Sequence, residues 1–125
     1  MISVRGAIVI KDNTKESILS GTKRALEQII KENDIQIDEI ISIIFSATRD
    51  LTASYPAPVA RELGIINASL LCVQEMYVEN SMAMCIRILM NVNKANKANK
   101  ACCQKDVKHI YLNGAESLRP DLNDK

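Results

Sequence analysis

The sequence is poor in aromatic residues, with no Trp, one Phe and three Tyr among 125 residues. A buried core must therefore be built from Ile, Leu, Val and Met. The chain also lacks any stretch near the roughly 20 apolar residues that span a bilayer. Its apolar N-terminal segment is short and is interrupted by Arg5, which is unlike a signal peptide. The length predicts a single domain over residues 1–125. The lack of a membrane-spanning stretch and of a signal peptide predicts that it is cytoplasmic.

The motifs of several enzyme classes are missing as well. The chain has no glycine-rich phosphate loop, no His-Glu-x-x-His, no Asp-rich calcium loop and no serine elbow. Its four cysteines lack the Cys-x-x-Cys spacing of metal or redox sites and are interpreted as reduced thiols. The formal net charge of +1 gives no reason to expect nucleic acid or an anionic membrane as a partner. We expect neither a metal nor a cofactor.

Hydrophobic periodicity predicts an α+β fold with the element order β-α-β-α-β-β-β. An apolar stripe over residues 15–33 predicts one long helix, preceded by capping residues at 12–14. Pro56 and Gly64 suit the start and the C-terminal cap of a short helix. Gly6 marks a bulge or a close approach in the first strand. The predicted strands cover residues 2–10, 38–48, 68–73, 84–92 and 107–112.

Two segments show no apolar face. Residues 93–104 contain an Asn-Lys-Ala repeat and are interpreted as a polar loop, and residues 115–125 as a mobile C-terminal tail. One long and one short helix can cover only one face of a mixed five-stranded sheet. Because the other face needs a partner, we expect an oligomer.

Two arginines stand out because they occupy otherwise apolar strands. Arg5 interrupts the first strand, and Arg87 interrupts the run from Met84 to Met90. A buried guanidinium without an anion costs several kcal/mol, roughly the buried-ion penalty. The flat donor array of Arg binds carboxylates, so a ligand with several carboxylates is the natural guess. The alternative is a pair of arginines that face solvent.

Other polar residues have both a structural and a functional interpretation. Glu75 follows the strand that Cys72 ends, so it is either a surface carboxylate or a partner for an Arg or a ligand hydroxyl. Cys72 with His109 as its base would be a nucleophile pair, but neither lies in a known nucleophile setting. Tyr111 is either a ligand donor or a core residue. Arg61 on the short helix is expected to face solvent.

Several short segments, in order along nearly the whole chain, resemble one known family. They are Val4-Arg5-Gly6-Ala7, Phe45-Ser46-Ala47-Thr48, Asp50-Leu51, Tyr55-Pro56-Ala57, Ala60-Arg61-Glu62-Leu63, Cys72, Gln74-Glu75-Met76, Cys85-Ile86-Arg87, His109-Ile110-Tyr111-Leu112 and Leu118-Arg119-Pro120-Asp121-Leu122. The chain resembles the small trimeric chorismate mutases of the non-helical type, which act in aromatic amino acid biosynthesis (the shikimate pathway).

The resemblance implies an activity and roles for residues of this chain. Chorismate would rearrange to prephenate without cofactor or metal. Arg87 would contact the ether oxygen of the breaking bond and a carboxylate. Arg5, helped by Tyr111, would bind the side-chain carboxylate, and Glu75 with the Cys72 position would bind the ring hydroxyl.

The resemblance also implies a homotrimer, a pseudo-α/β-barrel with active sites between subunits. Tyr55, Ala57 and Arg61 would come from the neighbouring subunit, and Leu118 and Arg119 would belong to a mobile segment that partly covers the site.

The chain departs from the family pattern at some positions. Tyr55 stands where Phe is usual, Pro58 where Lys is common, and Leu71 where a polar residue is common. These differences leave the central residues in place but bear on substrate affinity.

Two other classes of function remain open from the sequence. A small trimeric imine or enamine deaminase also uses an Arg in a subunit cleft. A catalytically weak or non-enzymatic relative would keep the fold and bind a dicarboxylate.

Overall fold

The computed structural model describes residues 1–94 and 103–118. Its regular elements are β1 (Ile2–Val9), α1 (Lys15–Glu32), β2 (Ile40–Ala47), α2 (Pro58–Glu62), β3 (Ser69–Gln74), β4 (Cys85–Val92) and β5 (Ile110–Leu112). Short 3₁₀ turns lie at Ile37–Glu39, Gln104–Asp106 and Ala115–Leu118. The predicted α+β fold is confirmed, with its long helix and its short helix. None of the described helices is long and apolar enough to cross a membrane.

The five strands form one mixed sheet in the order β3-β2-β4-β1-β5. β4 lies in the centre and pairs antiparallel with both β1 and β2. The outer pairs, β2 with β3 and β1 with β5, are parallel. The predicted mixed five-stranded sheet is therefore confirmed, and its central strand is the one that carries Arg87.

One face of the sheet packs against α1 and α2 and forms the aliphatic core that the composition requires. Gly6 is the point of closest approach, because a Cβ there would lie 2.7 Å from Cδ1 of Ile29 on α1. The strand register is continuous through Gly6, so the close-approach interpretation holds and the bulge does not. The largest fully buried side chains include Phe45, Ile2, Ile8, Ile18, Leu26 and Ile29.

The start of α1 is capped as the sequence predicts. The Thr14 hydroxyl accepts from the Ser17 backbone N–H at 3.1 Å. Asp12 in turn accepts hydrogen bonds from the hydroxyls of Ser17 and Thr14. These bonds favour the charged carboxylate and hold the pKa of Asp12 below its ordinary value.

The short helix begins two residues later than predicted. Pro58, rather than Pro56, occupies its first turn, after Ala57 as N-cap. Pro56 lies in the preceding turn, where its carbonyl accepts from Val59 N–H at 3.2 Å. The Gly64 cap is as predicted, with a φ of 87° in the left-handed region that glycine tolerates.

Strands β2 and β5 are shorter than predicted. A 3₁₀ turn takes the first residues of the predicted second strand. Ahead of β5, the buried Asn33 side chain accepts from Lys108 N–H at 2.8 Å and donates to Lys108 carbonyl oxygen at 2.9 Å. His109 also precedes the strand, and its Nδ1 accepts from Arg5 N–H at 2.9 Å. The side chains of Asn33 and His109 thus form hydrogen bonds with backbone groups that a longer pairing of β5 with β1 would have used.

Two described residues of the predicted polar segment at 93–104 are attached to the rest of the chain by their side chains. Lys94 is buried, with a side chain that is 0% exposed, and its Nζ donates to the Asp34 carbonyl oxygen and lies 3.7 Å from Glu39 Oε1. Gln104 begins a 3₁₀ turn, and its amide makes two 2.8 Å hydrogen bonds to the backbone of Ser3. The part of the repeat at 95–102 lies outside the described residues.

The start of the C-terminal segment is packed. Ala115–Leu118 forms a 3₁₀ turn, and the buried Ala115 packs with Ala7, Tyr111 and Leu118 on the face opposite the helices. Residues 119–125, including Arg119, lie outside the described residues.

The remainder of that open face presents apolar side chains to solvent. Leu71 and Val73 on β3 are 56% and 43% exposed. Two large apolar side chains on the face of an edge strand are a feature that a partner surface would cover. This exposed surface supports the expectation of an oligomer, which stays a prediction.

Lys94 supplies a test of the fold. We expect Lys94→Met to lower the free energy of unfolding by about 2–3 kcal/mol, because the Asp34 carbonyl and the Glu39 carboxylate lose a buried cation. Urea denaturation followed by circular dichroism measures the change. Lys23→Met, at an exposed position on α1, is the matched control and should stay within about 0.5 kcal/mol. Equal stability of the two variants would contradict the role of Lys94.

Candidate active site

Strand register brings the two anomalous arginines together on the open face. Ala7 on β1 pairs with Arg87 on β4 and with Tyr111 on β5, so the latter two side chains flank it. Arg5 lies two residues before Ala7 and therefore shares its face. One cavity of about 470 Å³ is lined by Arg5, Arg87, Tyr111 and Leu118. Four of the residues singled out in the sequence thus meet in one cleft.

A carboxylate lies beside the central arginine of this cleft. Glu75 Oε1 is 3.6 Å from Arg87 Nε, and the two side chains are 25% and 45% exposed. An ion pair so accessible to water contributes little to stability, about 0–1 kcal/mol. The pairing of Glu75 with an Arg, one of the two roles considered for it, is the arrangement found.

Ser46 also belongs to this group, although the sequence did not mark it as a site residue. It lines the same cavity, and its hydroxyl donates to Glu75 Oε1 at 2.5 Å. It lies directly opposite Arg87 in the pairing of β2 with β4. Its neighbour Phe45 is fully buried on the core side. A polar residue at the outward position of an apolar strand was the signal that could have identified it.

Cys72 lies on the other face of the sheet from Glu75. It pairs with Phe45 and packs against the hydrophobic core, because alternate residues of β3 point to opposite sides. Within one chain its side chain is therefore not brought to the Arg87 cleft. The buried Cys85 is also a poor nucleophile, since burial raises the pKa of its thiol despite the opposing charge of Arg87.

A second and larger cavity, of about 630 Å³, contains another part of the predicted site. Tyr55 and Cys72 line it, at the ends of β2 and β3 and close to the first residue of α1. Lys15 and Arg49 bring positive charge to the same lining. Neither cation was identified from the sequence. Arg5 and Arg87 stood out because they interrupt apolar strands, whereas Lys15 and Arg49 lie in polar segments.

Two interactions organise the loop that carries Tyr55. The Asn13 side chain accepts from Thr52 and Ala53 backbone N–H groups at 2.9 and 3.0 Å, and donates to the Thr52 hydroxyl at 2.9 Å. The guanidinium of Arg49 lies 3.8 Å from the centre of the Tyr77 ring. These contacts tie the loop to the start of α1 and to the segment that follows Glu75.

The remaining predicted residues lie at α2, which is not part of the lining of either cavity, or outside the described part of the chain. Ala57 is the N-cap of α2, and Arg61 is exposed in its last turn. Arg119 lies outside the described residues. The predicted site therefore divides into two groups: a cationic cleft on the open face, and a cavity with Tyr55 and Cys72 at the strand ends.

The cationic cleft suits an anionic ligand with a hydroxyl group. Two guanidinium groups can bind carboxylates, and Tyr111 and Glu75 can donate to and accept from ligand oxygens. The Nδ1 atom of His109 does not act as a general base in this cleft, because it accepts a hydrogen bond from the Arg5 backbone N–H. Within residues 1–94 and 103–118, no three His, Cys, Asp or Glu side chains are grouped closely enough to hold a metal ion.

Comparisons with known proteins show the family of the chain. The family model for chorismate mutase type I matches residues 1–122. The chorismate mutase AroH of Bacillus subtilis is 38% identical over 121 residues, which are 96% of this chain and 91% of that protein. The AroH of Thermus thermophilus is 36% identical over 120 residues, or 95% and 93% of the two chains.

A solved structure extends the similarity to the fold. A chorismate mutase from Clostridium thermocellum is 40% identical, with a TM-score of 0.83, and the match covers 92% of this chain and 97% of that one. The resemblance stated from the ordered sequence segments is thereby confirmed. On the family match over nearly the whole sequence, the chain belongs to the chorismate mutase type I family.

Proposed function

We propose that this protein rearranges chorismate to prephenate in a cleft centred on Arg87 and completed by a second copy of the chain. The observation that carries the proposal is the meeting of Arg5, Arg87, Glu75 and Tyr111 on one face of the sheet. As a chorismate mutase, the enzyme belongs to aromatic amino acid biosynthesis, and we place it in the cytoplasm.

The reaction requires no covalent bond between the protein and the substrate. The ether C–O bond of chorismate breaks while a C–C bond forms within the same molecule, and no proton is transferred. The enzyme must hold the substrate in the folded conformer that brings the two reacting carbons together. Binding both carboxylates through Arg5 and Arg87 restricts the substrate to that conformer, which lowers the entropic part of the barrier.

Arg87 has a second role in the proposed mechanism. As the ether bond lengthens, negative charge develops on its oxygen, and a fixed guanidinium stabilises that charge more strongly than mobile water. Glu75, 3.6 Å from Arg87 Nε, orients the guanidinium and accepts from the ring hydroxyl. Tyr111 supports Arg5 at the side-chain carboxylate.

A second copy is proposed because the predicted site residues are divided. Tyr55, Cys72, Ala57 and Arg61 belong to the strand-end cavity and to α2. In a trimer this cavity would meet the Arg87 cleft of the neighbouring chain, so Cys72 joins the neighbour's contribution. The apolar open face of the sheet is the surface that would be buried.

The C-terminal 3₁₀ turn at Ala115–Leu118 is proposed to form one side of the cleft. Leu118 lines the cleft beside Tyr111. From the family resemblance, Arg119, the next residue in the sequence, is proposed to supply one more cation to a bound dianion.

The activity and the role of Arg87 are tested together. Loss of chorismate absorbance, with prephenate identified as product, measures turnover. We expect Arg87→Ala to lower kcat by about 10²–10³, the usual loss when one preorganised donor is removed. Arg87→Lys should also be impaired, since a point charge cannot reproduce the planar donor array.

The control for this experiment is Arg24→Ala. Arg24 is an exposed arginine on α1 that donates to Asn113 away from the cleft, and its removal should leave kcat unchanged. Unchanged turnover in both Arg87 variants would refute the charge-stabilising role. Prephenate binding without turnover in the unaltered protein would favour a non-enzymatic dicarboxylate binder, and ammonia release from imines would favour a deaminase.

The shared site is tested by mixing damaged subunits. We expect the protein to have the solution mass of three chains of 13.9 kDa each. Arg61→Ala and Arg87→Ala should each be weakly active alone, whereas co-expressed mixed trimers should regain activity. The reason is that some sites then combine an intact Arg61 from one chain with an intact Arg87 from another. A mixture no more active than its components would show that both residues act within one chain.

A further inference from the structure

Glu75 needs a restraint that its own position in the chain does not supply. β3 ends at Gln74, so Glu75 is the first residue of the long connection to β4. Its side chain is one-quarter exposed, and its contact with Arg87 at 3.6 Å is longer than a hydrogen bond. A carboxylate held only by such a contact would occupy several rotamers and lose conformational entropy on binding a ligand.

The neighbouring strand β2 supplies that restraint through two consecutive residues. The Ser46 hydroxyl donates to Glu75 Oε1 at 2.5 Å, and the Ala47 carbonyl accepts from Glu75 N–H at 2.9 Å. Both the backbone and the side chain of Glu75 are therefore tied to β2. Since β2 pairs with the central strand β4, this attachment belongs to the rigid part of the sheet.

Strand register makes Ser46 common to both charged groups. It lies opposite Arg87 on β4 and opposite Val73 on β3, two residues before Glu75. The same oxygen, Glu75 Oε1, receives the Ser46 hydroxyl and faces Arg87 Nε. A hydroxyl at this point donates to the carboxylate and adds no charge that would compete with Arg87.

We propose that Ser46 is a positioning residue for the reaction. It holds Oε1 of Glu75 toward Arg87, so that the second carboxylate oxygen is presented to the hydroxyl of the ligand ring. This inference rests on the proposed role of Glu75 in binding that hydroxyl. It assigns to Ser46 an effect on substrate binding and turnover that passes through Glu75.

The first test compares three single variants by kcat/KM for chorismate. Ser46→Ala should lower kcat/KM roughly tenfold or more, because a hydrogen bond to a charged group is lost. Ser46→Thr keeps the hydroxyl and should stay within about threefold of the unaltered protein. Ser42→Ala is the matched control: Ser42 lies on β2 with the same parity, but its hydroxyl accepts from Asn91 at 3.0 Å, away from the cleft. It should leave kcat/KM unchanged.

The second test separates positioning from a general loss of structure. The affinity for prephenate, measured by calorimetry, is compared for the unaltered protein, Ser46→Ala, Glu75→Ala and the double variant. If Ser46 acts through Glu75, its removal should change affinity less than twofold once Glu75 is absent. Equal losses with and without Glu75, full activity in Ser46→Ala, or the same loss in Ser42→Ala would each overturn the proposal.

The same measurements distinguish this inference from the proposed reaction. If the unaltered protein bound prephenate without converting chorismate, the reaction would be refuted, whereas the affinity comparison would still decide the role of Ser46. If the unaltered protein converted chorismate and Ser46→Ala converted it equally well, only the positioning role would be lost.

Discussion

A positive charge in the middle of a sheet has to be balanced, and the site of this protein is organised around that requirement. Arg87 occupies the central strand, where its neighbours on one face are core residues and on the other face are open to ligand. Glu75 supplies part of the compensating negative charge. Hydrogen bonds with the Ser46 hydroxyl and the Ala47 carbonyl attach Glu75 to the adjacent strand β2. The charge remains accessible enough, at 45% exposure, to meet an anionic substrate.

The same alternation of side chains explains why the predicted site residues of one chain do not all meet in one cleft. Odd and even residues of each strand point to opposite faces. Cys72 therefore packs beside Phe45 on the core side, while Arg87 and Ser46 face the open side. In the proposed function, a ligand meets both groups because another copy brings its strand-end cavity against the open face. In the proposed trimer, assembly and catalysis depend on the same surface.

Much of the fold could be predicted because the residues repeat with the period of their element. The stripe on α1 has the helical period, and the alternation in β1 has the strand period. The cap at Thr14 is a local feature and was also identified. The structure adds most to the sequence predictions where a distant group decides the local environment. Lys94 was assigned to a polar loop, but the Asp34 carbonyl and Glu39 provide a buried acceptor and a counter-charge.

The boundaries of β5 and the composition of the site show the same limit. The Asn33 side chain forms hydrogen bonds with the backbone N–H and carbonyl of Lys108. No sequence pattern around residue 108 indicates this contact. Ser46 belongs to the site only because β2 lies between β3 and β4, and that order is a property of the assembled sheet.

The amino-acid sequence by itself determined the aliphatic core, the type of each main element, the family and the presence of two arginines in apolar strands. These are properties of composition, period and local spacing. Which side chains share a face, that Glu75 is attached to Ser46, and that Cys72 points away from Arg87 were decided only by the tertiary structure. The physical reason is that strand register and strand order bring together residues up to about 100 positions apart, and no local preference of the chain specifies either of them.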